Sequence, residues 1–327
     1  MNAWSGNGDR VAAGRALDLA VDRPAGPLAG TLLTPQGPGP WATALLLPGS
    51  GPVDRDSDAR RLPLGITRAL AEALAAAGVA SYRYDKRGVG ASPGDWRRPG
   101  LHDGADDARA ALRLLASRPE VDPERLLLVG HSEGAILAAA VAADSQARGG
   151  LAVAGVCLLG PTARAGEDVL LWQAERLAPS LPAPVRLAYK VLRTDVVTQV
   201  RANHARLKAT TSDVARLGGV RTNARWHREF MAHDPTRDLR RLTSPVLAIT
   251  GSKDLQTPPE DLRALGDLVP GLLEAHLVPD VSHTLRHQPG EPSLRQYRTE
   301  VAAPVDDRVL SLVTCWARRV LGTTSSH

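Results

Sequence analysis

The sequence predicts an α/β fold built on a mainly parallel sheet with helices on both faces. Two observations carry that expectation. Apolar strand patterns alternate with helical ones along the chain. The central strand patterns are also continuous rather than alternating, as strands covered on both faces require.

In chain order, residues 16–21 and 30–33 alternate and are joined through Pro24-Ala-Gly-Pro27, which predicts an antiparallel hairpin. Residues 41–47 form a continuous apolar strand, broken by Pro48-Gly-Ser-Gly-Pro52. Helical spacing over 65–77 (Ile66, Leu70, Leu74) stops at Gly78. The next strand, 79–84, runs into Asp85-Lys-Arg-Gly-Val-Gly90. A helix is expected over 103–118, closed by Pro119 and Pro123, and then a buried strand over 125–129. Gly130-His-Ser-Glu-Gly134 is a sharp turn into a small-residue helix at 135–143, and 153–159 is a further strand.

Residues 162–240 change character. They are helix-rich and Arg-rich, carry Trp172 and Trp226, and contain no continuous buried strand. They read as a helical lid inserted between two parts of one core, 1–161 and 241–327. The strand pattern resumes at 246–250, followed by a helix at 259–268, a strand at 272–278 and an amphipathic helix at 304–321.

Composition narrows the function classes. With 327 residues and 43% hydrophobic content the chain can bury one large core. Aromatics are only 3%, so Leu, Val and Ala must carry the packing, and helices must approach closely through Ala. The net charge of +5 is scattered, without a basic run interleaved with aromatics, so nucleic-acid binding is not expected. Cys157 and Cys315 are expected to be buried thiols, and no metal spacing is visible. Gly88-Val-Gly90 is a turn rather than a phosphate loop, so no cofactor is expected either. No apolar stretch of about 18 residues argues for stable membrane insertion. The first ten residues lack an apolar stretch, so no signal peptide is expected and the cytoplasm is the expected location.

Gly130-His-Ser-Glu-Gly134 fits the G-x-S-x-G pattern. Five positions alone say little; the context says more, because the motif follows an apolar strand and opens a helix. A tight strand-to-helix turn forces Ser132 into a strained backbone, so its neighbours must be small, and Gly130 and Gly134 are. Ser132 is the expected nucleophile. The developing oxyanion needs donors. One is the backbone N–H of Glu133. The other is expected from the Pro48–Pro52 turn: Ser50, with Gly51 one residue on as the alternative.

The acid and the base follow the serine in chain order. Asp254 lies in Gly251-Ser-Lys-Asp-Leu-Gln-Thr-Pro-Pro259, just beyond a strand end, where α/β sheets collect their sites. His283 ends Pro279-Asp-Val-Ser-His283 after the next strand. His283 would take the Ser132 proton and Asp254 would orient its ring. Asp280 and His287 compete for these two roles, and His131 is expected to pack beneath the turn.

Taken together, these motifs, with Pro48-Gly-Ser-Gly-Pro52 leading into Asp54-Arg-Asp56 and with Tyr84-Asp-Lys-Arg-Gly-Val-Gly90, resemble the bacterial α/β-hydrolases of the carboxylesterase and lysophospholipase-like groups, and the serine-aminopeptidase-like branch. The resemblance covers about residues 15–321 and is weakest over the insertion. It implies an α/β-hydrolase fold with a helical lid, a triad at Ser132, Asp254 and His283, and oxyanion donors at Ser50 or Gly51 and Glu133. Val281-Ser-His-Thr-Leu-Arg286 departs from the family pattern, which has Asn before the base and an aromatic after it.

The expected chemistry is hydrolysis of a carboxylic ester of a small-molecule acyl substrate through an acyl-enzyme. A thioester, an amide, or acyl transfer to another acceptor would use the same groups. A non-catalytic ligand-binding module on this fold is the alternative of a different class. Leu171, Trp172 and Tyr189 of the lid are expected to line an acyl pocket. Arg55 or Arg87 is expected to pair with an acid of the neighbouring loop and stiffen the hole, so that truncating Arg55 lowers turnover far more than stability. A homodimer stays open as the oligomeric state.

Overall fold

The computed structural model describes residues 14–147, 150–181, 183–191 and 193–323. The first ten residues, read above for a signal peptide, lie outside them. The elements in order are β1 (Arg15–Val21), β2 (Leu28–Thr34), β3 (Trp41–Leu47), β4 (Asp58–Ala59), β5 (Leu62–Pro63), α1 (Ile66–Ala76), β6 (Ala80–Tyr84), α2 (Leu101–Ala116), β7 (Val121–His131), α3 (Glu133–Ala147) and β8 (Gly155–Leu159). Then come α4 (Gly166–Leu177), α5 (Ala183–Val191), α6 (Val196–Lys208), β9 (Val214–Leu217), β10 (Val220–Asn223), α7 (Ala224–Ala232) and α8 (Thr236–Leu239). The chain ends with β11 (Val246–Gly251), α9 (Asp261–Leu268), β12 (Leu273–Val278), α10 (Tyr297–Glu300) and α11 (Asp307–Leu321).

Among the described residues, eight strands form one sheet in the order β1-β2-β6-β3-β7-β8-β11-β12. β1 and β2 pair antiparallel, as do β2 and β6, and every pairing from β6 to β12 is parallel. The continuous apolar runs have the predicted cause. Leu45 and Leu47 of β3, Leu126 and Leu128 of β7, and Val156 and Leu158 of β8 face one apolar layer. The intervening Leu46, Leu127, Val129, Cys157 and Leu159 face the other. Side chains alternate across a strand, so both faces need cover. α2 and α3 supply it on the first face, and α1 and α11, through Leu70, Leu74, Val313 and Trp316, on the second. α3 lies close to the sheet because its buried positions are mostly small: Ala135, Ala138, Ala139, Ala142 and Ala143.

Several elements differ from the expectation. β7 starts at Val121 and runs through Pro123, because Val121 pairs with Trp41 before the register shifts. α2 starts at Leu101, where the Gly100 amide donates to Asp103 Oδ2 at 2.9 Å and caps the helix. Within 162–240, β9 and β10 form a hairpin that helical periodicity hid. Gly218 and Gly219, at φ 52° and 84°, make its two-residue turn, which needs positive φ at both positions. Cys315, expected to be buried, is exposed, because it lies on the outer side of α11 away from Val313 and Trp316; Cys157 is buried in β8. No helix among the described residues is long and apolar enough to cross a membrane.

The turn after β7 tests the role of its glycines. A Cβ on Gly134 would lie 2.1 Å from the Leu47 carbonyl oxygen, and one on Gly130 would lie 1.9 Å from that of Gly134. Gly51 has φ 84° but open space around it. Gly134→Ala is therefore expected to cost about 2–4 kcal/mol by overpacking against backbone. Gly51→Ala should cost only about 1 kcal/mol, the strain of a left-handed residue. Urea denaturation of the two variants checks the order.

Candidate active site

The parallel strands β3, β7, β8, β11 and β12 place their carboxyl ends on one edge of the sheet, and the loops there bring the predicted residues together. Ser132 sits between β7 and α3 with φ 56°, the left-handed conformation expected of it. Its N–H donates to the Leu159 carbonyl at the end of β8 (2.8 Å), and its own carbonyl accepts from Ala135 N–H (2.9 Å). Glu133 then opens α3, so its amide is one of the helix-start donors that the helix itself leaves unused.

Asp254 and His283 meet across the loops after β11 and β12. His283 Nδ1 donates to Asp254 Oδ2 at 2.7 Å, and both side chains are buried. That contact commits Nδ1 to the carboxylate and leaves Nε2 with a lone pair. Asp254 also accepts from the amides of Gln256 (2.7 Å) and Thr257 (2.8 Å) and from Thr257 Oγ1 (2.8 Å). Burial would raise its pKa, but the neighbouring His283 and these donors outweigh burial and hold the carboxyl below its ordinary 3.8. The competitors are elsewhere. Asp280 is exposed and pairs with Lys253 at 2.8 Å, and His287 is exposed.

Ser132 and His283 lie in one neighbourhood. A Cβ on Gly160, the residue after the Leu159 that holds the Ser132 amide, would stand 3.4 Å from His283 Cε1. The His131 ring packs 4.7 Å from the His283 ring, and its Nε2 donates to the His283 carbonyl at 3.0 Å. Burial first, and the adjacent His283 second, push the His131 pKa down to about 3, so it stays a neutral packing group.

The loop after β3 lies against the serine: a Cβ on Gly49 would be 3.4 Å from Ser132 Cβ. Ser50 lines the cleft that contains Ser132. Lys86 Nζ donates to the Gly49 carbonyl (2.5 Å) and to Glu133 Oε1 (3.0 Å), and Trp226 Nε1 donates to Glu133 Oε2 (2.6 Å). The Gly49 carbonyl belongs to the same planar peptide as the Ser50 N–H, so fixing one turns the other the opposite way. Lys86 thus ties together the two backbone segments that carry the expected oxyanion donors. Sequence reading assigned Glu133 through its backbone only and gave Lys86 and Trp226 no part. The charge following a strand end was visible, but its partners were not.

Of the two arginines considered for loop stiffening, Arg55 fits. Its Nη2 and Nε bond Asp85 at 2.8 and 3.1 Å, its own amide donates to Asp85 Oδ1 at 2.8 Å, and Nη1 reaches Thr31 Oγ1 at 2.8 Å. Arg87 instead pairs with Asp107 of α2, at 2.6 Å. A second unforeseen brace is the buried Glu300 of α10. Ser282 and Thr284, flanking His283, both donate to its Oε2, at 2.6 and 2.8 Å.

The acyl-pocket expectation needs correcting. Leu171 and Trp172 are buried in packing, and neither they nor Tyr189 of α5 line the cavities at the sheet edge. On α4 it is Val169, Leu170 and Gln173, on either side of that pair, that line the cleft. Helical phase, which composition cannot give, decides which neighbour turns inward. Among the described residues, no group of three or more His, Cys, Asp or Glu side chains could hold a metal ion.

The family model described as "Serine aminopeptidase, S33" matches residues 64–290, more than half of the chain, and the chain belongs to that family of α/β-hydrolases. Among curated proteins it is similar to Esterase EstD of Thermotoga maritima, 26% identical over 296 residues, which are 88% of this chain and 65% of EstD. The chain therefore spans just under two thirds of that relative's length. Among solved structures it is similar in fold to Est1E from Butyrivibrio proteoclasticus with ferulic acid bound (18% identity, TM-score 0.61, covering 92% of this chain and 96% of that one). It is also similar to the esterase domain of a Rhodothermus marinus protein (20% identity, TM-score 0.55, covering 93% and 98%).

Arg55→Ala would leave Asp85 buried with only amide donors, so the buried pair changes the balance expected from sequence: stability should suffer as well as turnover. We expect a loss of about 2–4 kcal/mol near neutral pH. Burial raises the Asp85 pKa, but the Arg55 hydrogen bonds outweigh it and keep it below 3.8. The pair's contribution is thus complete above that value and lost as pH falls through the depressed one. Urea denaturation at decreasing pH should show the wild-type and Arg55→Ala curves converging only in acid.

Proposed function

We propose that the chain is a serine hydrolase that cleaves a carboxylic ester through an acyl-enzyme. The observation that carries the reading is the buried Asp254–His283 hydrogen bond (2.7 Å), set beside a serine on a left-handed strand-to-helix turn. Ser132 Oγ attacks the ester carbonyl while His283 Nε2 takes its proton, and Asp254 stabilises the resulting imidazolium. The negative charge that forms on the carbonyl oxygen is received by the N–H groups of Ser50 and Glu133, with Gly51 as the alternative to Ser50. The bond to the alcohol oxygen then breaks, and His283 returns its proton to that oxygen. Water attacks the acyl-enzyme by the same route, and the free acid leaves. The neutral His131 supports the base by packing and by holding the His283 carbonyl, without competing for the proton.

Residues 162–240 act as a lid in this reading. What supports it is that Leu170, Gln173, Trp226 and Phe230 from this segment border the cleft containing Ser132. Hydrolysis in the cytoplasm is the setting we propose, in keeping with two free cysteines.

With p-nitrophenyl esters as substrates, Ser132→Ala should lower kcat by about 10⁴-fold or more while leaving the urea midpoint nearly unchanged. Asp254→Asn should lower kcat by about 10³–10⁴-fold, because it removes the carboxylate that fixes the ring tautomer. Activity in Ser132→Ala within a few-fold of wild type would end the proposal.

A further inference from the structure

Two cavities of unequal size meet at the expected oxyanion donors. The cleft holding Ser132 has a volume of about 70 Å³ and is bordered by Gly160, Thr257 and Leu170. A larger chamber, about 410 Å³, opens on the other side of Ser50 and Glu133. Ser50, Glu133 and Trp226 line both, so the two are neighbours across the oxyanion loop and the start of α3.

The small cleft is on the histidine side. Gly160 adjoins the His283 ring, and Thr257 is bonded to Asp254. The alcohol oxygen must lie near His283 to receive its proton, so the alcohol portion of an ester falls in this small cleft. The carbonyl oxygen is directed at the amides. The remaining substituent of the tetrahedral carbon, the acyl chain, has the chamber beyond Ser50 and Glu133 open to it.

The chamber wall is mostly carbon, from Tyr84, Val89, Trp96, Leu137 and Trp226. Its half-buried charged side chains already have partners, Lys86 with Glu133 and Arg87 with Asp107, while the exposed Arg221 stands 3.9 Å from Asp95. The Asn223 amide is committed to the Trp96 and Pro99 carbonyls. A charged ligand would find no unpaired counter-charge in the half-buried part of the chamber around Lys86 and Arg87, and desolvating its charge there would count against it. Aromatic and aliphatic surfaces of this extent suit an uncharged apolar group of ring size or larger.

We propose that the substrate is an ester of a bulky, uncharged, apolar acid with a small alcohol, its acyl group seated in the chamber between Val89, Trp96 and Trp226. This rests on the serine-hydrolase reading and deepens it. The test uses two isomeric esters of equal size: the methyl ester of phenylbutanoic acid and the acetate of phenylpropanol. The methyl ester should have a kcat/KM about tenfold or more above that of the acetate. Equal values, or a preference for the acetate, overturn the proposal.

Val89→Trp, which fills the chamber, should lower the kcat/KM ratio of p-nitrophenyl phenylbutanoate to p-nitrophenyl acetate by about tenfold. Val220→Trp on the exposed β9–β10 hairpin gives the same reading if Val89→Trp does not fold. An unchanged ratio in a folded variant overturns the assignment. Cleavage of p-nitrophenyl acetate separates the two levels. If it is cleaved while neither isomer discriminates, only the acyl assignment fails. If p-nitrophenyl acetate, p-nitrophenyl phenylbutanoate and the methyl ester are all untouched, the hydrolase reading fails and takes this one with it.

Discussion

The turn at Ser132 is held by backbone packing so close that only glycine fits on either side of it. Leu47 and Pro48 of the neighbouring strand end press their carbonyl oxygens against Gly134, and Gly134 in turn presses against Gly130. A serine at φ 56° is strained by about 1–2 kcal/mol. The parallel ladder from β3 through β7 to β8 and the Ala-rich face of α3 offset that strain. The gain is positional. The hydroxyl stands at the carboxyl edge of the sheet, the first amides of α3 point beside it, and the loop after β3 cannot drift away.

Charge pairs then fix the loops that backbone packing leaves free. Arg55 and Asp85 lock the loop after β3 to the loop after β6, with Thr31 of β2 as a third partner. Lys86 bridges the Gly49 carbonyl and the Glu133 carboxylate, and Trp226 holds Glu133 from the segment 162–240. Glu300 does similar work behind His283. In each case a buried or half-buried carboxylate is satisfied by several donors, which makes such a group a rigid anchor rather than a penalty. The pairing also leaves the half-buried walls of the large chamber, at Lys86 and Arg87, without uncommitted charge.

The sheet and the neighbourhood of the site were legible because their causes are local. Continuous apolar runs at β3, β7, β8 and β11, a glycine on each side of Ser132, and acid and histidine one strand apart are all sequence patterns with direct physical meanings. What escaped was long-range or rotational. Glu300, 18 residues further on, reaches back to Ser282, and no spacing announces it. Leu170 rather than Leu171 faces the cleft because of helix phase. The exposure of Cys315 follows from the side of α11 on which it falls. The β9–β10 hairpin was readable from Gly218-Gly219, but the helical character of its surroundings masked it.

Every role proposed for the site requires Ser132 to be a nucleophile activated by its neighbours, and covalent labelling reads that most directly. The folded protein would be treated with a serine-directed fluorophosphonate, then digested and its peptides weighed. One adduct is expected, on the peptide containing Ser132, and it should disappear when the protein is unfolded before treatment. No adduct, or an adduct on a different serine with Ser132 untouched, would contradict it.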